Sequence, residues 1–434
     1  MVNRVGNWLP DNPHVLRRWV NKKVQQVKAN PPERSEVVKE FYDLVVTDPQ
    51  LYMLFNEMLA EVPAKYEKDP AGHPEIRDLK TLFDVFDTIL TEAPAWDSSA
   101  QVGTPINAVL DWPMGTKAGF AAFLNPKVNQ QFQKMLTTWA QFLGSDKSTG
   151  TLNAGDGGWF SQTALNSPHM VDFAENFGVD FTKPAGGFPS WDGFFTREFL
   201  PNRRPVASPG DDSVIVSAAE ATPFAVQRDV KLHDAFWLKG QSYSLAHMMN
   251  NDPRAAQFVG GTVYQAFLSA DSYHRFHVPV AGRIVDPPTF VAGTYYSEPL
   301  LTGFSPDDDD DDDDGPPNPD AGADEASQGY ISAVATRAVV FIEADNPAIG
   351  LMAVVLVGMA EVSSVEITMP PRTHFAKGDQ LGMFHFGGST HCLCFRPGVH
   401  LQFKFPADLP GPNNTIQWPV NSALATVVAP PTTG

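Results

Sequence analysis

The strongest constraint on the fold is a change in the period of the apolar residues near residue 185. Before it, apolar side chains recur every three or four positions, as in Val37, Phe41, Leu44 and Val45, then in Leu51, Leu54, Phe55, Met58 and Leu59. That spacing lays them along one face of a helix. Thr47-Asp48-Pro49 between the two sets reads as a stop and a restart, and 120–143 reads as a further pair of helices. After about residue 210 the pattern turns into short β-rich stretches at 214–217, 261–268, 338–343, 353–357 and 362–368, separated by Gly, Pro and Asn. The expected class is α+β, with a helical N-terminal region over 1–185 and a mostly antiparallel β core over 186–434. The helical region is expected to pack or cap rather than bind substrate.

Within the β-rich part, 305–328 consists largely of Asp, Pro, Gly and Ala and cannot bury enough apolar surface to order itself, so a disordered surface insertion is expected there. Its aspartate run, Asp307 to Asp314, lacks the ligand and glycine spacing of an EF-hand. The formal net charge of −19 falls to −11 without those eight aspartates, so the remainder is still acidic. Nucleic acid and anionic membrane are disfavoured as partners by that balance. The basic residues from Arg17 to Lys28 surround Trp19 and Val20 at helical spacing and read as a solvated helix face. The longest apolar run, 349–360, is shorter than the roughly 20 residues that span a bilayer, and reads as a buried strand. Residues 1–10 lack the apolar centre of a signal peptide, so a cytoplasmic protein without stable membrane association is expected.

The two cysteines, Cys392 and Cys394, would share one face of a strand without disulfide geometry. With His391 beside them they still lack the spacing of a metal site, so no metal is expected and both cysteines are read as packing residues.

The stretch that points to chemistry is Gly382-Met383-Phe384-His385-Phe386-Gly387-Gly388-Ser389-Thr390. Two glycines can bend the backbone until the Ser389 hydroxyl meets its own preceding carbonyl, a geometry suited to a chain that cuts itself. Upstream lie Tyr273-His274-Arg275-Phe276-His277-Val278-Pro279, Phe194-Phe195-Thr196-Arg197-Glu198-Phe199 with Arg204-Pro205, Leu238-Lys239-Gly240 with Tyr243-Ser244-Leu245, and Val357-Gly358-Met359-Ala360. In that order, over roughly 185–395, these segments resemble the phosphatidylserine decarboxylase family. The resemblance implies cleavage between Gly388 and Ser389 and conversion of Ser389 into a covalent pyruvoyl group, with no external cofactor.

The family pattern also distributes roles. Cleavage requires the weakly acidic Ser389 hydroxyl to lose a proton, and the resemblance assigns His277 as the base. A carboxylate behind that histidine would fix its tautomer. The family has an Asp-Gly step for this purpose; here Glu220 stands in Ala218-Ala219-Glu220-Ala221, without the following glycine. His274 is implied as the acid that protonates the substrate carbanion, with Tyr273 and Phe276 shaping the pocket. On a regular strand His274 and His277 would face opposite sides, so both can act only if the segment bends near Arg275. His385 is a further substrate-binding candidate.

Gly387 before Gly388-Ser389-Thr390, the Phe384-His385-Phe386 lead-in and Phe341-Ile342-Glu343-Ala344-Asp345-Asn346 are similar to the soluble fungal L-tryptophan decarboxylase branch of the family. The expected activity is therefore decarboxylation of a free aromatic L-amino acid, foremost L-tryptophan to tryptamine. The alternative is phosphatidylserine decarboxylation to phosphatidylethanolamine. A serine hydrolase is disfavoured because His391 occupies the last position of Gly-x-Ser-x-Gly. The resemblance further implies that the two cleavage fragments stay associated and that the chain forms a homodimer.

Overall fold

A computed structural model describes residues 14–61, 76–97, 103–234, 243–297, 328–361, 364–406, 409 and 414–428. The aspartate run and the Leu238-Lys239-Gly240 segment lie outside the described residues. The chain divides into two compact units, one of residues 1–171, 180–194 and 294–327, the other of residues 172–179, 195–293 and 328–434.

The first unit is helical: α1 (His14–Ala29), α2 (Glu36–Thr47), α3 (Pro49–Ala60), α4 (Leu79–Ile89), α5 (Pro105–Met114), α6 (Lys117–Phe123) and α7 (Pro126–Leu143). The break between α2 and α3 falls where Asp48 accepts the N–H groups of Gln50 and Leu51 and Pro49 opens the new helix, whose first turn needs no N–H from it. The apolar stripes converge on Phe41, which meets Phe55, Phe83 and Phe132 edge-on at ring-centroid distances of 6.0, 5.2 and 5.0 Å. Edge-to-face contact sets the positive rim of one ring against the negative face of another, and each pair adds about 0.5–1.5 kcal/mol beyond burial.

The second unit holds fourteen strands among the described residues. Its main sheet runs β10 (His374–Phe375), β5 (Gly282–Ile284), β7 (Arg337–Ala344), β8 (Leu351–Gly358), β12 (Ser389–Phe395), β3 (Thr262–Leu268) and β2 (Thr222–Arg228), with β6 (Thr289–Val291) also on β7. Two three-stranded sheets accompany it: β1 (Val214–Val216), β14 (Ala423–Val427) and β13 (Leu401–Phe403), and β4 (Arg275–His277), β11 (Gln380–Phe384) and β9 (Val365–Ile367). All the pairings are antiparallel. The architecture is thus α+β, and the apolar run at 349–360 forms β8, every residue of which is buried. Among the described residues no helix is long and apolar enough to cross a membrane.

β12 is central, paired with β3 on one side and β8 on the other along its whole length. A strand buried on both faces reads as a continuous apolar run, which explains Cys392, Leu393, Cys394 and Phe395. Leu393 and Phe395 point into a core shared with Leu268, Leu356, Phe276 and Phe384. Burying each such side chain contributes about 1.5–3 kcal/mol. Ser389 is the first residue of this strand, so its position is fixed from both neighbours, by Leu268 and by Gly358.

Candidate active site

The second unit brings Ser389 and His274 together. Both are fully buried, and the Ser389 Oγ lies 3.3 Å from His274 Nδ1. The other ring nitrogen, Nε2, is 2.8 Å from the Ser269 carbonyl, an acceptor only. Nε2 must therefore carry the proton and donate it, which leaves Nδ1 as a lone pair directed at the serine. Phe195 stacks on the imidazole at 4.1 Å and 23°, holding the ring plane. In its neutral form the ring is then a base facing a hydroxyl.

Ser389 also needs an electrophile held still. The Gly388 carbonyl accepts the Met359 N–H at 2.9 Å, and the Gly388 N–H donates to the Ala360 carbonyl at 3.1 Å. An N–H on this carbonyl stabilises the negative charge that develops there during attack. The backbone is strained on both sides of the contact. Gly387 has φ +135°, and Ala360 and Glu361 have φ +31° and +70°. Positive φ is costly for residues with a Cβ, and such conformations persist only where the surrounding structure enforces them.

On the opposite face of β12, Thr390 is anchored by a buried amide network. Its Oγ1 lies 2.9 Å from the Ala266 carbonyl, 3.1 Å from Gln265 Nε2 and 2.8 Å from the Gln328 side chain. Gln265 is held in turn by the Tyr243 hydroxyl at 2.5 Å and reaches the Gln328 carbonyl at 3.1 Å. A threonine hydroxyl has one proton, so it donates to Ala266 while the Gln328 amide, turned about its last bond, donates to it. Gln265 and Gln328 were not foreseen from the sequence. The available signal was a glutamine, Gln265, in the middle of an otherwise apolar strand.

The structure does not bring His277 and Glu220 together with Ser389 in the expected relay. His277 donates Nδ1–H to the Gly378 carbonyl at 2.8 Å and accepts the Tyr273 hydroxyl on Nε2 at 3.1 Å, so both its nitrogens are engaged away from Ser389. Burial pushes its pKa below the usual histidine value, keeping the ring neutral. Glu220 is buried, but its carboxylate receives Arg204 through Nε, at 3.1 Å to each oxygen, and through Nη2 at 2.5 Å, together with the Val420 N–H at 2.7 Å. A planar guanidinium matches a carboxylate in this paired fashion, so the arginine rather than the histidine takes Glu220.

β4 begins at Arg275, which leaves His274 outside the regular strand. Arg197 fixes the preceding loop by donating from Nη2 to the carbonyls of Asp271 at 2.9 Å and Ser272 at 3.0 Å. Burial lowers its pKa to about 10, which leaves it charged. Tyr273 is buried, with its hydroxyl pKa raised by desolvation. Phe276 packs against Phe384 at 5.0 Å in the core. His385 is half-buried, with Nε2 3.1 Å from Glu366. Cys392 and Cys394 are free and buried, the latter thiol pushed up to about 12 by burial.

Comparison with known proteins identifies the family. Two family models described as phosphatidylserine decarboxylase match residues 35–167 and 191–409. The decarboxylase iboD of Amanita muscaria is 43% identical over 312 residues, 71% of this chain and 87% of that protein. The L-tryptophan decarboxylase of Psilocybe cubensis is 36% identical over 378 residues, 83% of this chain and 80% of that protein. The phosphatidylserine decarboxylase proenzyme 3 of Schizosaccharomyces pombe is 30% identical over 216 residues, half of this chain and a fifth of that protein.

Proposed function

The chain belongs to the phosphatidylserine decarboxylase family, in its fungal branch, and is a carboxy-lyase; we propose that it decarboxylates a free aromatic L-amino acid, foremost L-tryptophan to tryptamine, after cutting itself between Gly388 and Ser389. The observation that carries the reading is the Ser389 hydroxyl facing a lone pair of His274 while the Gly388 carbonyl holds the Met359 N–H.

In this reading His274 takes the Ser389 proton as Oγ attacks the Gly388 carbonyl carbon, and the Met359 N–H stabilises the resulting oxyanion. The Gly388–Ser389 C–N bond breaks and leaves an ester, with the proton delivered to the Ser389 nitrogen. Loss of the Ser389 α-proton expels Gly388 as a carboxylate. Water then replaces the nitrogen of the remaining unsaturated residue and ammonia leaves, so residue 389 becomes a pyruvoyl group on the nitrogen of Thr390. That site fits the group, because His274 and Phe195 already bound it. Once formed, the pyruvoyl group supplies a carbonyl that binds the substrate amine and accepts the electrons freed with CO₂.

His274 is then placed to return a proton to the substrate carbon, while Phe195 and Phe386, edge-to-face at 5.4 Å, exclude water beside it. The amino-acid substrate is favoured over a lipid by the greater share of chain matched by the Psilocybe cubensis L-tryptophan decarboxylase and by the acidic net charge. CO₂ release by the purified protein from L-tryptophan, and not from phosphatidylserine vesicles, tests this. The opposite pattern overturns it.

A further inference from the structure

One step along β12 from Ser389, on the same face, lies a polar pair that the self-cleavage chemistry does not use. Side chains alternate on a strand, so Ser389 and His391 project to one side, about 6.8 Å apart. His391 is fully buried, and neither of its ring nitrogens has a hydrogen-bond partner. The Tyr264 ring, from the neighbouring strand, meets the His391 ring at 6.0 Å, and its buried hydroxyl also lacks a partner. Phe403 and Phe405 hold the tyrosine from the far side, at 5.7 and 5.9 Å.

An unpaired buried polar group is costly, and three such atoms close together in an otherwise apolar core call for a cause. Packing alone is a poor one, because leucine or phenylalanine would fill the same space without that cost. The neighbours are informative too. Ser389 stands between Gly358 and Leu268, and His391 between Ala266 and Leu356, so each has one small neighbour on this face. Burial holds the imidazole neutral, with its pKa lowered to about 4, so one ring nitrogen is always an acceptor at physiological pH.

We propose that His391, with Tyr264 beside it, is the specificity-determining acceptor for the ring N–H of an indole whose amino-acid end is held at residue 389. The inference rests on the aromatic amino-acid reading above and deepens it. An indole has one N–H donor and an otherwise apolar surface, which is what this face offers in reverse: one acceptor in an apolar surround. A benzene ring would leave His391 unpaired, so the enzyme would prefer tryptophan to phenylalanine for a reason located at His391. Sites built to pair one polar group discriminate strongly against analogues that lack it.

The test is calorimetric binding of indole-3-propionate and its 1-methyl derivative to the purified, self-cleaved enzyme. Neither probe has an amine, so binding is read apart from turnover. The expected result is that the N–H probe binds roughly ten- to a hundredfold more tightly than the methylated one, and that His391→Leu removes the difference while His391→Gln keeps part of it. Should His391→Leu fail to fold, Tyr264→Phe and the two-probe comparison on the unaltered enzyme still decide. Equal binding of both probes, or no binding of either, overturns the proposal. Turnover of L-tryptophan is measured in parallel. Turnover without probe selectivity removes His391 from the account and keeps the substrate, whereas probe selectivity without turnover keeps the indole site and removes the tryptophan reaction.

Discussion

Ser389 Oγ stands 3.3 Å from His274 Nδ1, and the tautomer of His274 is set by the Ser269 carbonyl behind it. In its neutral form, a base whose one N–H is given to a fixed acceptor is correctly turned before the reaction begins. His274→Ala should therefore slow self-cleavage by about 10²–10⁴-fold, the usual worth of a positioned general base. Gel electrophoresis of freshly purified protein over time checks it. Prompt cleavage of a folded His274→Ala chain would remove His274 from that step.

Glu220 gives a contrasting expectation. Its carboxylate is committed to Arg204 and the Val420 N–H, so Glu220→Ala strands a guanidinium and a buried N–H rather than a histidine. Arg204 retains 26% of its side-chain exposure, which softens the loss to about 2–3 kcal/mol of stability. Cleavage should continue in the fraction that folds. Urea unfolding alongside cleavage kinetics separates the two, and a stable but uncleaved Glu220→Ala chain would restore the carboxylate to the reaction.

Gly387 tests the backbone. At φ +135° it occupies a region that residues with a Cβ rarely enter. Gly387→Ala should shift the Gly388 carbonyl from the Met359 N–H and slow cleavage by roughly tenfold or more. Unchanged cleavage kinetics would show that this turn does not control the scissile bond.

Acidification should destabilise the fold through His391. Its pKa is held near 4 by burial, against 6.5 for the ordinary value. Between those values the unfolded chain binds more protons than the folded one, so stability is lost as pH falls from about 6.5 towards 4. The full difference is about 3 kcal/mol. His277, also lowered by burial, acts in the same direction. Urea unfolding on a Ser389→Ala background, which keeps the chain intact, should show a smaller loss between pH 7.5 and 4.5 for His391→Leu than for its parent.

Much of the fold was legible because it is local. The apolar period gave α2 and α3, the Asp48-Pro49 step gave the break between them, and the uniform apolar run gave β8. The order of strands around β12 was not legible, because pairing joins residues more than a hundred positions apart, such as Cys392 and Gln265. At the site, the sequence marked Ser389, His274, His277 and Glu220 but could not rank their partners. Which histidine met the serine depended on the partners of each, the Ser269 carbonyl behind His274 and the Gly378 carbonyl that takes His277. Which cation met Glu220 depended on Arg204, a motif residue whose reach across sixteen positions no local pattern encodes.

The most direct measurement is the intact mass of the purified protein before and after borohydride reduction with L-tryptophan. The account predicts two fragments, 1–388 and the 46-residue 389–434, the smaller one lacking a free N-terminal amine and gaining the mass of a tryptamine adduct on reduction. A single chain of 434 residues that gains no adduct would contradict it.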